Sequence, residues 1–138
     1  MEIKLTYHGV GAAFTAHNSD GNELVIDGSP QLGGEGLGPR PMEMVLFGLA
    51  GCAAMDVLHI LRKGRVELSH AVITAKGERA DAVPAVFERV HLTFDLGGEG
   101  LTERQAQRAI DLSIKQYCSV AHMLSPKVEI TATLNLKT

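Results

Sequence analysis

Polar and apolar residues alternate from Glu2 to His8, with Ile3, Leu5 and Tyr7 on one side and Lys4, Thr6 and His8 on the other. That is the period of a half-buried strand. A second extended stretch near Ala12 to Ala16 runs into "HNSDGNELVID", where Asp20-Gly21 marks a hairpin turn. The alternation then stops. Residues 28–41, "GSPQLGGEGLGPRP", are rich in glycine and proline and predict a long surface connection, without the spacing of a phosphate-binding loop.

From Pro41, suited to the first turn of a helix, to Gly64, suited to the position just past the end, no proline interrupts the chain. This predicts one helix of about 35 Å. Its apolar residues, among them Met44, Leu46, Phe47, Met55, Leu58 and Leu61, occupy every side, so protein is expected to enclose most of its surface. The unbroken apolar run ends at Asp56, short of the ~20 residues of a bilayer span, and no membrane is expected.

Alternation returns in "VELSHAVITAKGER" and in "VFERVHLTFDL", the latter with Val90, Leu92, Phe94 and Leu96 inward. Thr102 with Gln105 forms a capping box, opening a helix that continues through Ile110 and Ile114 toward Tyr117. The chain breaks near Cys118, makes one more turn to Leu124 and stops at Pro126. "KVEITATLNLK" then alternates through Val128, Ile130, Ala132, Leu134 and Leu136. Strands, a long helix, strands, a helix and a strand make an α+β plan with antiparallel sheets. At 138 residues, 1–138 is read as a single domain.

Composition narrows the function. With 45% apolar and 21% charged residues, a net charge of −3, no basic run and no tryptophan, the chain lacks the footprint of a nucleic-acid binder. The start, "MEIKLTYHGV", lacks the basic and apolar regions of a signal peptide, so a reducing cytoplasm is expected. There, two cysteines are thiols or a working redox pair more often than a structural staple.

Cys52 sits in "GLAGCAAMDVLHI". At about 100° per helical residue, Asp56 and His59 lie within about 40° of it around the axis, so the three share a stripe. Three ligands spread over two turns of one helix are awkward for a single ion, and no metal is expected. The plainer reading makes Cys52 a small buried hydrophobe and leaves Asp56 and His59 as hydrogen-bonded core residues. Cys118, in "KQYCSVAH", begins a short helix with His122 four positions on and Lys115 three before, a setting that lowers a thiol pKa. On these grounds either cysteine can be the nucleophile.

"RPMEMVLFGLAGCAAMDV" resembles the core-helix signature of the OsmC/Ohr family (osmotically inducible protein C-like), and "KQYCSVAHML" resembles the segment around its second cysteine. Element order agrees along essentially the whole chain, most nearly with the YhfA-like branch. The resemblance implies an intertwined homodimer, with sheets of both subunits wrapped around two long helices and active sites at the interface. It implies thiol-dependent reduction of a small organic hydroperoxide without a cofactor. In that chemistry Cys52 is the peroxidatic thiolate, Cys118 is the resolving thiol, and an external thiol reductant reopens the disulfide.

Family members that reduce peroxides place a glutamate directly after the helix-leading proline and pair it with an arginine from the N-terminal strands. Here Met42 follows Pro41, and no arginine precedes Arg40. Glu43 stands one position later, about 180° around the helix from Cys52. Candidates for activating the thiol are therefore Arg40 from the loop, Glu43, and Asp56 or His59 on the thiol's own stripe. Arg79 and Arg89 qualify by sign only and read as solvated charges on strands. The competing function is a non-catalytic module that holds a small apolar ligand while the cysteines merely pack.

Overall fold

A computed structural model describes residues 1–137. The chain divides into two compact units, Met1–Val45 and Leu46–Thr138. In the first, β1 (Ile3–Tyr7), β2 (Phe14–Asn18) and β3 (Glu23–Ile26) form an antiparallel sheet in that order. The turn at Asp20-Gly21 is as the sequence predicts: the Asn18 side-chain oxygen accepts the amides of Asp20 and Asn22, and Gly21 takes φ +83°. The burial of β1 is not. All five of its residues are exposed, because among the described residues of its own unit no second layer covers Ile3, Leu5 and Tyr7.

The connection after β3 is pinned by one carboxylate. Asp27 accepts the amides of Gly28 at 2.7 Å, Glu35 at 3.0 Å and Leu37 at 3.1 Å. These bonds, those to Glu35 and Leu37 foremost, hold its pKa below the ordinary 3.8. A loop without periodicity is thereby given a defined path.

Helix α1 (Pro41–Lys63) follows, its start and length as the sequence predicts. It buries only the stripe Leu49, Ala53, Val57 and Leu61, one residue per turn. Phe47 is 61% and Met55 68% exposed, which corrects the expectation of a helix enclosed on most sides. A chain of this size has too few elements to cover more than one face. By length and composition α1 is also able to cross a bilayer, with a mean hydropathy of 2.0 over 18 residues, which corrects the expectation drawn from the apolar run ending at Asp56: Val57, Leu58, Ile60 and Leu61 keep the average high beyond it. At its end the Val66 amide bonds back to the Leu61 carbonyl and that of Arg65 to Arg62. In this closing turn the left-handed residue is Arg65, at φ +62°, and not Gly64.

The second sheet contains β4 (His70–Arg79), β5 (Phe87–Gly97) and β6 (Glu129–Lys137) in the order β4-β5-β6. β4 and β5 pair antiparallel, but β6 runs parallel to β5, correcting the all-antiparallel expectation. Parallel neighbours need a crossover, and the helical segment between β5 and β6 supplies it. Val90, Leu92, Phe94 and Leu96 are at most 1% exposed, as their alternation predicts. Burying a ring such as that of Phe94 contributes about 1.5–3 kcal/mol. Helix α2 (Glu103–Leu112) adds Ala106, Ala109 and Ile110 to this core. Its capping box is formed in both directions, Gln105 amide to Thr102 Oγ1 and Thr102 amide to Gln105 Oε1, a device worth roughly 1 kcal/mol.

Candidate functional site

α2 does not end cleanly. It widens into a π-helical turn, Ser113–Tyr117, closed by a 2.7 Å bond from the Cys118 amide to the Ser113 carbonyl. Such a turn holds one more residue than an α-helical turn and is frequent at functional sites. It delivers Cys118 in extended conformation at the head of α3 (Ser119–Leu124), as the predicted break near this residue anticipates.

Cys118 is fully buried, and Cys52, on α1, is partly exposed; both are free thiols. Asp56 stands one turn after Cys52. The two sulfurs and a carboxylate oxygen of Asp56 all lie within 4.8 Å of one another. The Cys118 sulfur also accepts the Ala121 amide at 3.4 Å. Burial, opposed by that amide, pushes the Cys118 thiol up to about 11, and Cys52 beside it acts in the same upward direction. Cys118 therefore stays protonated at neutral pH. This overturns the lowered pKa expected from its neighbours, since Lys115 and His122 both face solvent and desolvation prevails.

The stripe read from the sequence is half right. Cys52 and Asp56 act on one group, but its third member is Cys118 and not His59. His59 is exposed and lines a cleft of about 590 Å³ with Asp56, Lys63, Arg108 and Tyr117. A wider groove of about 880 Å³ follows the polar face of α2 past Arg104, Arg108 and Lys115, and neither cysteine lines it.

One residue escaped sequence reasoning. Ser113 is fully buried, and its hydroxyl donates to Asp56 Oδ2 at 3.0 Å, with the Ala53 carbonyl at 3.3 Å. Ser113 thus ties the π-helical turn to α1 and fixes the Asp56 carboxylate. The available signal was a serine continuing the buried series Ala106, Ala109, Ile110 at helical spacing.

Arg40 and Glu43 belong to the first unit. The Glu43 carboxylate accepts the Arg40 amide at 3.0 Å, closing the first turn of α1, and among the described residues no ion pair joins their side chains. Arg79 donates to the Ala85 carbonyl and Arg89 pairs with Glu78 at 2.6 Å, both on the surface, as their reading as solvated strand charges anticipates.

An α+β chain whose long helix sets one thiol against a second, delivered by a break in another helix, is by fold and site a two-cysteine thiol protein. The sequence profile of the OsmC-like protein family matches residues 33–133. The chain belongs to that family. It is 38% identical over 121 residues to Protein YhfA of Escherichia coli K12, covering 88% of this chain and 87% of that one. The crystal structure of a hypothetical protein from Aquifex aeolicus VF5 superposes with a TM-score of 0.79 at 29% identity, covering 99% of this chain and 97% of that chain. The organic hydroperoxide resistance protein OhrB of Bacillus subtilis shares the fold, with a TM-score of 0.67 at 18% identity over 98% of each chain.

Proposed function

We propose that the protein is a cytoplasmic, homodimeric thiol peroxidase that reduces small organic hydroperoxides, with Cys52 as the attacking sulfur and Cys118 as the resolving one. The observation that carries this reading is the approach of the two sulfurs and Asp56 to within 4.8 Å. Cys52 is the more accessible sulfur, and burial keeps Cys118 back as a thiol for the second step. The Cys52 thiolate attacks the outer peroxide oxygen; the O–O bond breaks, the alcohol leaves with a proton, and Cys52 becomes a sulfenic acid. Cys118 then attacks that sulfur, forming the disulfide as the S–O bond breaks, and Asp56 relays the thiol proton to the departing hydroxide, which leaves as water. An external dithiol supplies the two electrons that restore the pair. The hydroperoxide-resistance name of the Bacillus neighbour points to the same substrate class.

A second subunit accounts for the open face of α1. Phe47 and Met55 project from it, and a side chain built at Gly48 or Gly51 would meet nothing within 4 Å, so a partner helix has room to approach closely. A partner of protein suits this helix better than a bilayer, because Asp56 and a reactive thiol lie on it.

The test uses the reduced protein and stoichiometric cumene hydroperoxide. Wild type should lose two thiols and two hydrogens per chain, read by thiol titration and intact mass. Cys52→Ser should abolish consumption, and Cys118→Ser should stop at a sulfenic acid that dimedone traps. Thiols that survive excess peroxide would reject the enzyme and favour the module that holds a small apolar ligand.

A further inference from the structure

The same three groups have a second chemistry that peroxide reduction does not use. The objection to a metal on the stripe of α1 was that all its ligands came from one helix. The fold removes that objection by replacing His59 with Cys118, which arrives from a different element. We infer that the reduced Cys52–Asp56–Cys118 cluster is a binding site for a soft divalent cation, Zn2+ or Cd2+, and that the bound ion blocks the thiols.

The geometry suits a small tetrahedral ion. With metal–sulfur distances of about 2.3 Å and metal–oxygen distances of about 2.0–2.2 Å, ligand atoms around one tetrahedral ion stand about 3.5–3.8 Å apart. In the present cluster every pair lies within 4.8 Å, so closure on one ion asks each pair to approach by no more than about 1.3 Å, which side-chain rotation can supply. Cys52 and Asp56 are one helical turn apart on α1, a spacing that turns two side chains toward one ion. Two sulfurs and one carboxylate make a soft donor set, which favours zinc or cadmium over calcium or magnesium. Asp56 is already oriented by the Ser113 hydroxyl at 3.0 Å, the kind of outer-shell bond that steadies a ligating carboxylate. Three protein ligands leave a fourth position for water. On binding, the protons held by the two sulfurs leave to solvent and two metal–sulfur bonds form, with no change of oxidation state. The metal and the disulfide need the same sulfurs, so each excludes the other.

This inference does not require that the protein reduce peroxides, and its test contains no peroxide. The full-length reduced protein is titrated anaerobically with Zn2+ against a chromophoric chelator, and with Co2+ by absorption spectroscopy. We expect saturation at one ion per chain, a thiolate-to-cobalt charge-transfer band, and protection of both cysteines from iodoacetamide that a chelator reverses. Cys52→Ser and Asp56→Asn, both close in shape, should weaken Zn2+ more than about 100-fold, and Ser113→Ala about 10-fold. The inference is overturned if wild type shows no cobalt–thiolate band, or if Zn2+ binds equally well to Cys52→Ser and Asp56→Asn, which would place it on surface histidines. Should Cys52→Ser fail to fold, the wild-type cobalt spectrum and Asp56→Asn still decide. Zn2+ binding with inert thiols toward cumene hydroperoxide would keep this site and discard the peroxidase; the converse would do the opposite.

Discussion

β1 and β5 carry the same alternation and meet opposite fates. Along β5, Val90, Leu92, Phe94 and Leu96 are sealed at 0–1% exposure, whereas along β1, Ile3 remains 64% and Leu5 and Tyr7 each 49% exposed. Period-two patterning states which face of a strand is to be covered, and is silent on what covers it. Within the second unit, α1 and α2 contribute buried stripes to one core with β5. Among the described residues, Ile3, Leu5 and Tyr7 of β1 and, separately, Phe47 and Met55 of α1 stay exposed. Exposed apolar surface that keeps its periodicity is what an interface between subunits requires.

Mutations sharpen that contrast. The largest effect is expected at β5: Phe94→Ala should cost about 3–5 kcal/mol in urea unfolding, since a fully buried ring is removed. Next, Phe47→Asp should halve the mass seen by light scattering while leaving the secondary structure intact. A wild-type protein already monomeric at high concentration would break the comparison, because the open face would then need no partner. Leu5→Ala should be mild in dilute solution and more costly as concentration rises, because subunit association adds to apparent stability. A cost independent of concentration would place β1 outside any interface.

The smallest effect is expected in the first unit's connection. Asp27 has its folded pKa lowered below 3.8, so its contribution is present above the unfolded value and is lost as the pH falls through the folded one. Melting curves of wild type and Asp27→Asn should differ most near neutrality and converge in strong acid. Curves that stay parallel would show that the Glu35 and Leu37 amides do not depend on the charge.

Nearly every element was legible, because alternation, Pro41, the Thr102 capping box and Pro126 are all local signals. Features that depend on distant parts of the chain were not. β6 alternates identically whether its neighbour runs parallel or antiparallel, so its direction was invisible. Asp27 reaches amides up to ten positions away, and no pattern marks such a bond. The left-handed residue fell at Arg65 because the closing bonds of α1 count from Leu61 and Arg62, and not from the glycine. At the site, Cys52 and Asp56 were paired correctly by helical spacing, while Cys118 and Ser113 come from a segment far along the chain. Family resemblance suggested the cysteine pair; only the fold brought Ser113 and the displacement of His59 into view.

The wide turn at Ser113–Tyr117 has a consequence for how such a protein can change over generations. Because it is one residue over length, deleting a single codon between Ile114 and Tyr117 would let the segment relax to ordinary winding. The Cys118 amide would keep the Ser113 carbonyl as its partner, now across an ordinary helical turn, and Cys118 would stay beside its sulfur partner. Descendants of this lineage can thus shed one residue here and keep the chemistry, whereas the same loss within α2 would turn Cys118 by about 100° and slide it by about 1.5 Å relative to the face that α2 buries.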